Sequence, residues 1–308
     1  MAYRALVTGA AGSIGVVVVD ELVGRGFEVD AWDIAEPPAR SGVTATEVDL
    51  RRPVPLGLVR PYRLVIHLAS VTENRDDRSS LLDHLSSLSM TAHLLDSLAE
   101  QVPGAVVTTS SQLVYKTGQQ HPAEENRMAA TTGFAAAKIA SEAFLEAFGN
   151  RSQVPTAVFR LANIIGPTTR RGVVHDFVRR AGEAAAGRTV RITGAAQHRR
   201  SFLNLVDCAT AVIELADALP GSAPGHQVFN VANFDSVSIA ELADIIATAT
   251  GTPFEVETRG ERLAWRGDPG TVLPATARLA ATGWRPRSTS REAVHQAAEG
   301  MWASRARR

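Results

Sequence analysis

From its first residues the chain alternates short apolar runs with longer stretches of helical periodicity. Runs of strand length fall at 4–8, 28–32, 44–48, 63–67, 105–109 and 156–160. That alternation predicts an α/β fold in which a parallel sheet is covered by helices on both faces. Two long helices are predicted at 81–100 and 131–148, each with enough apolar surface to pack on the sheet and on a second subunit. Val16, Val17, Val18 and Val19 favour a strand by propensity. They are assigned to the first helix, because the glycine-rich turn before them has to open into one and tertiary context overrides a weak preference.

Beyond about residue 165 the alternation loosens. Gly166 and Pro167 break the chain, helices are predicted at 173–186 and 238–250, a last sheet-like run falls at 227–231, and the remainder is rich in Gly, Pro and Arg. The domain reading is a larger domain over 1–165, completed by segments within 202–235, and a smaller α/β domain over 166–308, with substrate held in the cleft between them. The tail at 305–308 is read as a solvated end.

The turn after the first strand carries the most specific chemistry. Behind the apolar run Ala5-Leu6-Val7 stand Gly9, Gly12 and Gly15, with Ser13 and Ile14 between the last two. Gly9 lets the strand turn sharply, Gly12 lets backbone N–H groups approach a pyrophosphate, and Gly15 lets the following helix press close to the sheet with its positive end toward that phosphate. Eighteen residues after Gly15, Asp33 closes the second apolar run, where a carboxylate accepts hydrogen bonds from an adenosine ribose. The same charge repels a 2′-phosphate, so NAD is expected rather than NADP. The fold expected is therefore a doubly wound, Rossmann-type sheet.

Bulk properties narrow the class further. Thirty-two basic and thirty-two acidic residues cancel, so nothing global attracts nucleic acid or an anionic membrane. Cys208, the single cysteine, cannot form an internal disulfide and reads as a small buried apolar residue. No signal peptide precedes the first strand and no apolar stretch is long enough to span a bilayer, which leads to an expected cytoplasmic location. Eight scattered histidines lack metal-ligand spacing, so no metal is expected. His67, at the end of a buried strand, is read as structural.

Residues 8–15, Asp33, Asp49-Leu50, His67-Leu68-Ala69-Ser70, Thr109-Ser110-Ser111 with Val114-Tyr115, Lys138, Arg160 with Asn163, Gly166-Pro167, and Arg200-Ser201-Phe202 with Val206-Asp207 together resemble the NAD-dependent epimerase/dehydratase branch of the extended short-chain dehydrogenases. The resemblance spans nearly the whole chain. It implies that Asp49, paired with Leu50, binds adenine and that Leu68, Ala69 and Ser70 line the cofactor cleft. It implies a catalytic Ser111 and a Lys138 that bonds the nicotinamide ribose, Lys138 being one of only two lysines among thirty-two basic residues. The family's acid/base tyrosine, four residues before the lysine, corresponds to Phe134. A phenyl ring has no exchangeable proton, and losing a positioned acid/base costs on the order of 10²- to 10⁴-fold in rate while leaving the pocket's shape almost unchanged. An engineered Tyr-to-Phe change, a natural enzyme using another base or Ser111 and water, and a non-catalytic cofactor sensor all fit this substitution. Tyr115 matches the family's Val-Tyr-Gly segment, which does not carry the proton.

The resemblance also implies a nucleotide-diphosphate sugar, with Asn163, Arg200 and Arg266 at diphosphate-holding positions, since planar guanidinium forks suit such oxygens. A smaller hydroxy acid or polyol is the competing substrate. Thr72, Glu73 and Asn74 are placed to meet the sugar. Related dehydratases follow the serine with Asp-Glu, and related decarboxylases keep the Glu; here the residues are Gln112 and Leu113. Neither is a carboxylate, so reversible oxidation at a sugar carbon is expected, as in a 4-epimerase or, failing that, a ketoreductase. Ser87 stands where the family has an asparagine, and Lys116 where it has a glycine. The resemblance further implies a homodimer through the two long helices.

Overall fold

The computed structural model describes residues 3–37, 40–72, 81–184, 188–194, 196–258 and 270–305. They form two compact units, one built from 1–116, 124–161 and 209–230, the other from 117–123, 162–208 and 231–308. Residues 117–123 and 162–165, expected in the first domain, cluster with the second unit, and within 202–235 it is 209–230 that completes the first.

In the first unit the elements run β1 (Arg4–Thr8), α1 (Ser13–Gly24), β2 (Glu28–Asp33), β3 (Val43–Glu47), β4 (Leu64–His67), α2 (Leu81–Leu98), β5 (Val106–Ser111), a 3₁₀ turn (Gln112–Val114), α3 (Gly133–Ser152) and β6 (Thr156–Leu161). β7 (Asn163–Ile165), α4 (Val173–Glu183), β8 (Val190–Gly194), β9 (Arg199–Arg200) and β10 (Phe202–Asn204) follow in the second unit. Then come α5 (Leu205–Asp217), which enters the first unit at Ala209, and β11 (His226–Val231).

The central sheet has seven strands in the order β11-β6-β5-β4-β1-β2-β3. Registered pairings from β3 through β6 are all parallel. β1 sits between β2 and β4, so successive connections leave it in opposite directions. The crevice at its carboxyl end is the switch point where open α/β sheets bind ligands. Every residue of β4 and β6 is buried, whereas edge strand β3 keeps only half-buried and exposed positions. On one face, Leu94, Leu95 and Leu98 of α2 and Leu145 and Phe148 of α3 pack with Leu6, Val65, Val106 and Val158 of the sheet. Val16 to Val19 are helical, with Val18 and Val19 buried.

Helix α3 is fastened to β6 by a buried ion pair. Arg160 Nη2 lies 2.7 Å from Glu142 Oε2, its Nε donates to both carboxylate oxygens at 3.2 Å, and Nη1 donates to the Glu124 carbonyl at 2.8 Å. Desolvating both charges offsets most of their attraction, but a lone survivor would be costly.

In the second unit, β7 pairs with β10 and β8 with β13 (Phe254–Thr258) in parallel, while β9 pairs antiparallel with β12 (Val237–Ser238). Its helices are α4, α6 (Ile239–Thr250), α7 (Ala277–Ala281) and α8 (Ser290–Arg305), around a core that includes Phe177, Phe202, Leu242, Ile246 and Val294. α6 starts on a reciprocal Ser238/Glu241 capping box. The expected helix at 173–186 ends at Glu183, and 185–187 lie outside the described residues, as do 306–308 of the tail. The Gly-, Pro- and Arg-rich remainder contains β13, α7 and the sixteen-residue α8. A signal for α8 was present: Thr289 and Glu292 exchange hydrogen bonds, Thr289 N to Oε2 at 2.8 Å and Glu292 N to Oγ1 at 3.2 Å.

Glu142→Leu, which strands Arg160, is expected to lower stability by about 3–5 kcal/mol in urea denaturation. The double variant Glu142→Leu/Arg160→Met should recover most of the loss; equal losses in both would contradict this account of the pair.

Candidate active site at the carboxyl edge of the sheet

The turn after β1 is packed backbone on backbone. Gly9 has φ +73°, and a Cβ there would fall 2.7 Å from Ala69 N and 2.8 Å from the Leu68 carbonyl carbon. A Cβ on Gly15 would lie 2.1 Å from Gly9 O. The closeness Gly15 permits is thus between the first turn of α1 and the glycine turn itself, not the sheet as expected. Gly12 is the N-cap of α1, with no side-chain cap bond, and no acid occupies the first turn. The helix's leading N–H groups, among them those of Ser13 and Ile14, are in the arrangement that suits an anion. Asp33 ends β2 half-buried, one carboxylate oxygen accepting from Ala11 N at 2.9 Å and the other from Ala35 N at 3.1 Å. Asp49 is paired with Arg51, which donates from Nε at 2.8 Å and Nη2 at 2.9 Å. That guanidinium holds the Asp49 carboxyl below its ordinary range. Leu50 beside it is buried.

Leu68, Ala69 and Ser70 leave the end of β4 half-buried against this turn, Leu68 N donating to Thr8 O at 3.0 Å. Ser87 of α2 holds the next residue, accepting from Val71 N at 2.9 Å, and its hydroxyl lies 3.3 Å from that of Ser70. Thr72 is exposed; Glu73 and Asn74 lie outside the described residues. His67 is buried beneath them, with Nδ1 2.7 Å from Thr8 Oγ1 and Nε2 3.1 Å from Thr91 Oγ1. Burial, reinforced by the Lys138 charge, pushes its pKa down to about 3, so the ring is neutral.

Helix α3 brings the remaining groups to the same edge. Thr132 Oγ1 caps it by accepting from Ala135 N at 3.2 Å. Phe134 and Lys138, one turn apart, share a face. Lys138 Nζ donates to Thr109 O at 2.9 Å and lies 5.8 Å from the centre of the Phe134 ring. Burial holds the amine down to about 8, with Glu142 pulling the other way. The His84 ring meets Phe134 edge-on, centroids 6.4 Å apart at 73°. His84 carried no sequence signal, being a lone histidine on an amphipathic helix. Ser111 is the last residue of β5, and its Oγ accepts from Leu113 N at 3.2 Å, capping the 3₁₀ turn. A hydroxyl used as an acceptor keeps its own proton to donate.

Tyr115 is committed elsewhere. It is buried, donates to Asn230 Oδ1 at 2.5 Å, accepts from Arg160 Nη1 at 3.1 Å, and burial raises its pKa. Within the second unit, Asn163 Nδ2 donates to Ser201 O at 2.9 Å, and Arg200 Nη1 donates to the carbonyls of Arg199, at 3.1 Å, and Gly270. Arg266 lies outside the described residues. Cys208 is fully buried, its thiol pushed up to about 12 by burial.

Residues 5–232 match the model of the NAD dependent epimerase/dehydratase family. The chain belongs to this family. It is 29% identical over 320 residues to a UDP-glucose 4-epimerase of Mycolicibacterium smegmatis, covering 96% of this chain and 97% of that protein. It is 30% identical over 303 residues to a dTDP-4-dehydro-6-deoxy-D-allose reductase of Streptomyces bikiniensis, covering 89% and 86%. A crystal structure of a UDP-galactose 4-epimerase matches with a TM-score of 0.83 at 28% identity, over 98% of this chain and 99% of that one. NAD is the cofactor of the epimerase/dehydratase family, and the glycine turn fits it: Cβ atoms at Gly9 and Gly15 would fill the cradle, and the first turn of α1 carries neither a side-chain cap nor an acid.

His67 makes this edge pH-sensitive in stability. Its folded pKa of about 3 lies below the ordinary 6.5. Between those values the unfolded chain binds a proton that the folded chain refuses, so stability falls as the pH drops from 6.5 toward 3 and is unaffected above. The slope is at most about 1.4 kcal/mol per pH unit. Urea midpoints measured across that window should fall less steeply for His67→Gln than for the wild type; identical slopes would rule the histidine out as their source.

Proposed function

We propose that this family member is an NAD-dependent nucleotide-sugar epimerase of the 4-epimerase type, slowed because Phe134 stands where the family carries its acid/base tyrosine. The observation that carries this reading is Ser111 at the end of β5 with Lys138 of α3 bonded to Thr109 of the same strand, while Gln112 and Leu113 open the 3₁₀ turn, so that no carboxylate follows the serine. Near full-length similarity to a UDP-glucose 4-epimerase supports it. When bound, NAD supplies a reversible two-electron acceptor for a sugar carbon. The N–H groups after Gly12, at Ser13 and Ile14, hold its pyrophosphate, Asp33 the adenosine ribose, and Asp49 with Leu50 the adenine. Leu68, Ala69 and Ser70 line the nicotinamide side, and Lys138 bonds the ribose there. Ser111 donates its remaining proton to the substrate oxygen, Thr72 meets the sugar, and Asn163, Arg200 and Arg266 serve the diphosphate. Asp33 disfavours a 2′-phosphate by charge.

The similarity to a dTDP-sugar reductase favours a second reading, net reduction of a nucleotide ketosugar at the same site. In either case the protein acts in the cytoplasm as a homodimer through α2 and α3. Among the described residues no helix is long and apolar enough to cross a membrane. Leu81, Leu82 and Leu85 of α2 and Phe144 of α3 are 75%, 72%, 53% and 43% exposed, an apolar surface suited to a second copy.

Phe134→Tyr is expected to raise turnover of UDP- or dTDP-sugars about 10²- to 10⁴-fold, with NAD affinity nearly unchanged. An unchanged rate would count against Phe134 as the cause of slow turnover, and no turnover at all after that substitution would turn the reading toward a cofactor sensor. Sedimentation should give a dimer that Leu82→Glu dissociates; a monomeric wild type would refute the proposed assembly.

A further inference from the structure

Phe134 removes the hydroxyl that the family uses for proton transfer, but the same face of α3 retains an amine one turn away. We propose that Lys138 is the proton carrier of this chain, accepting the substrate hydroxyl proton at Nζ and returning it in the reverse half of the reaction. This rests on the nucleotide-sugar oxidoreduction proposed above.

The surroundings of Lys138 set it apart from an ordinary ion-paired lysine. Glu142, one turn further along α3, is the carboxylate placed to neutralise it, yet Glu142 is turned to Arg160 of β6 at 2.7 Å. From β5 the amine meets only the carbonyl of Thr109, and from β4 it feels a neutral His67. From α2, the His84 ring stands in an edge contact with the Phe134 ring. Among the described residues Lys138 therefore has no carboxylate within ion-pair distance, and its one hydrogen bond is to the Thr109 carbonyl, which leaves a second N–H for the nicotinamide ribose and the nitrogen lone pair for the substrate proton. Burial favours the neutral amine and outweighs the opposing pull of the Glu142 charge, holding the group down to about 8. A fraction of the chains thus carries a basic nitrogen at neutral pH, 5.8 Å from the centre of the Phe134 ring. Tyr115 cannot take the role, because its hydroxyl is committed to Asn230 and Arg160.

The step balances simply. The substrate O–H bond breaks, its proton forms an N–H bond at the neutral Nζ and the C–O bond becomes a carbonyl; bound NAD would supply the acceptor for the hydrogen and electron pair that the carbon gives up. In the return half the ammonium gives the proton back to the oxygen and the amine is neutral again.

Two lysines in the whole chain, Lys116 and Lys138, make a direct test practical. In protein labelled with ¹³C-lysine, one of two resonances should titrate near pH 8 and vanish in Lys138→Arg. At saturating NAD, turnover should rise about tenfold per pH unit below 8 and level off above it. Lys138→Arg keeps a cation that can reach the Thr109 carbonyl but does not release a proton at these pH values. It should bind NAD and lose at least about 100-fold in turnover, and Phe134→Tyr in that background should restore it. The proposal is overturned if Lys138→Arg retains turnover with its pH limb, if the Lys138 resonance titrates above pH 10, or if the limb disappears only in His84→Gln. Absence of turnover in both the wild type and Phe134→Tyr would instead overturn the proposed function beneath it.

Discussion

The site depends on one steric constraint, the approach of the Gly9 backbone to the backbone at Leu68 and Ala69. With 2.7 Å between a hypothetical Cβ and Ala69 N, no side chain fits, and the positive φ at Gly9 adds a second reason for glycine. Because this contact joins the ends of β1 and β4, everything that follows either strand inherits its position. The leading N–H groups of α1 are aimed from one side of it. Ser70 and Val71 leave from the other and are caught by Ser87 of α2.

A buried polar chain runs under that contact from Thr8 through His67 to Thr91, and from Thr91 to Ser141 of α3 at 3.1 Å. Each link is a hydrogen bond out of water, where leaving one partner unsatisfied costs more than the bond itself contributes. The chain fixes α2 and α3 relative to the strand ends. His67 is kept neutral by burial, which prevents a second cation from competing with Lys138 in the same low-dielectric space.

The charge arrangement on α3 follows from geometry rather than from a local pairing rule. Lys138 and Glu142 are i and i+4, a spacing that pairs on an exposed helix. Here the bidentate geometry and burial of Arg160 draw Glu142 to the sheet, and Lys138 is left with a carbonyl and an aromatic ring. The same guanidinium donates to Tyr115, so one buried arginine holds both the glutamate and the tyrosine.

Much of this was legible in the chain alone. Spacing of Gly9, Gly12 and Gly15 behind an apolar run, with Asp33 after the next, determined a dinucleotide-type turn, because few backbones tolerate three such glycines without a reason. Alternating apolar runs determined the parallel sheet, since strands covered on both faces must be apolar. Other features were not legible. The β8–β13 pair joins segments far apart in sequence, and a short strand has no local signature without its partner. Helix α8 carried its Thr289/Glu292 capping signal inside a Gly-, Pro- and Arg-rich stretch that masked it. Only the tertiary structure decided where the charges went: that Glu142 serves Arg160 and not Lys138, that Ser87 holds Val71, and that Tyr115 is spent on Asn230. Those choices depend on which groups are buried beside one another, and burial belongs to the folded chain rather than to any segment of it.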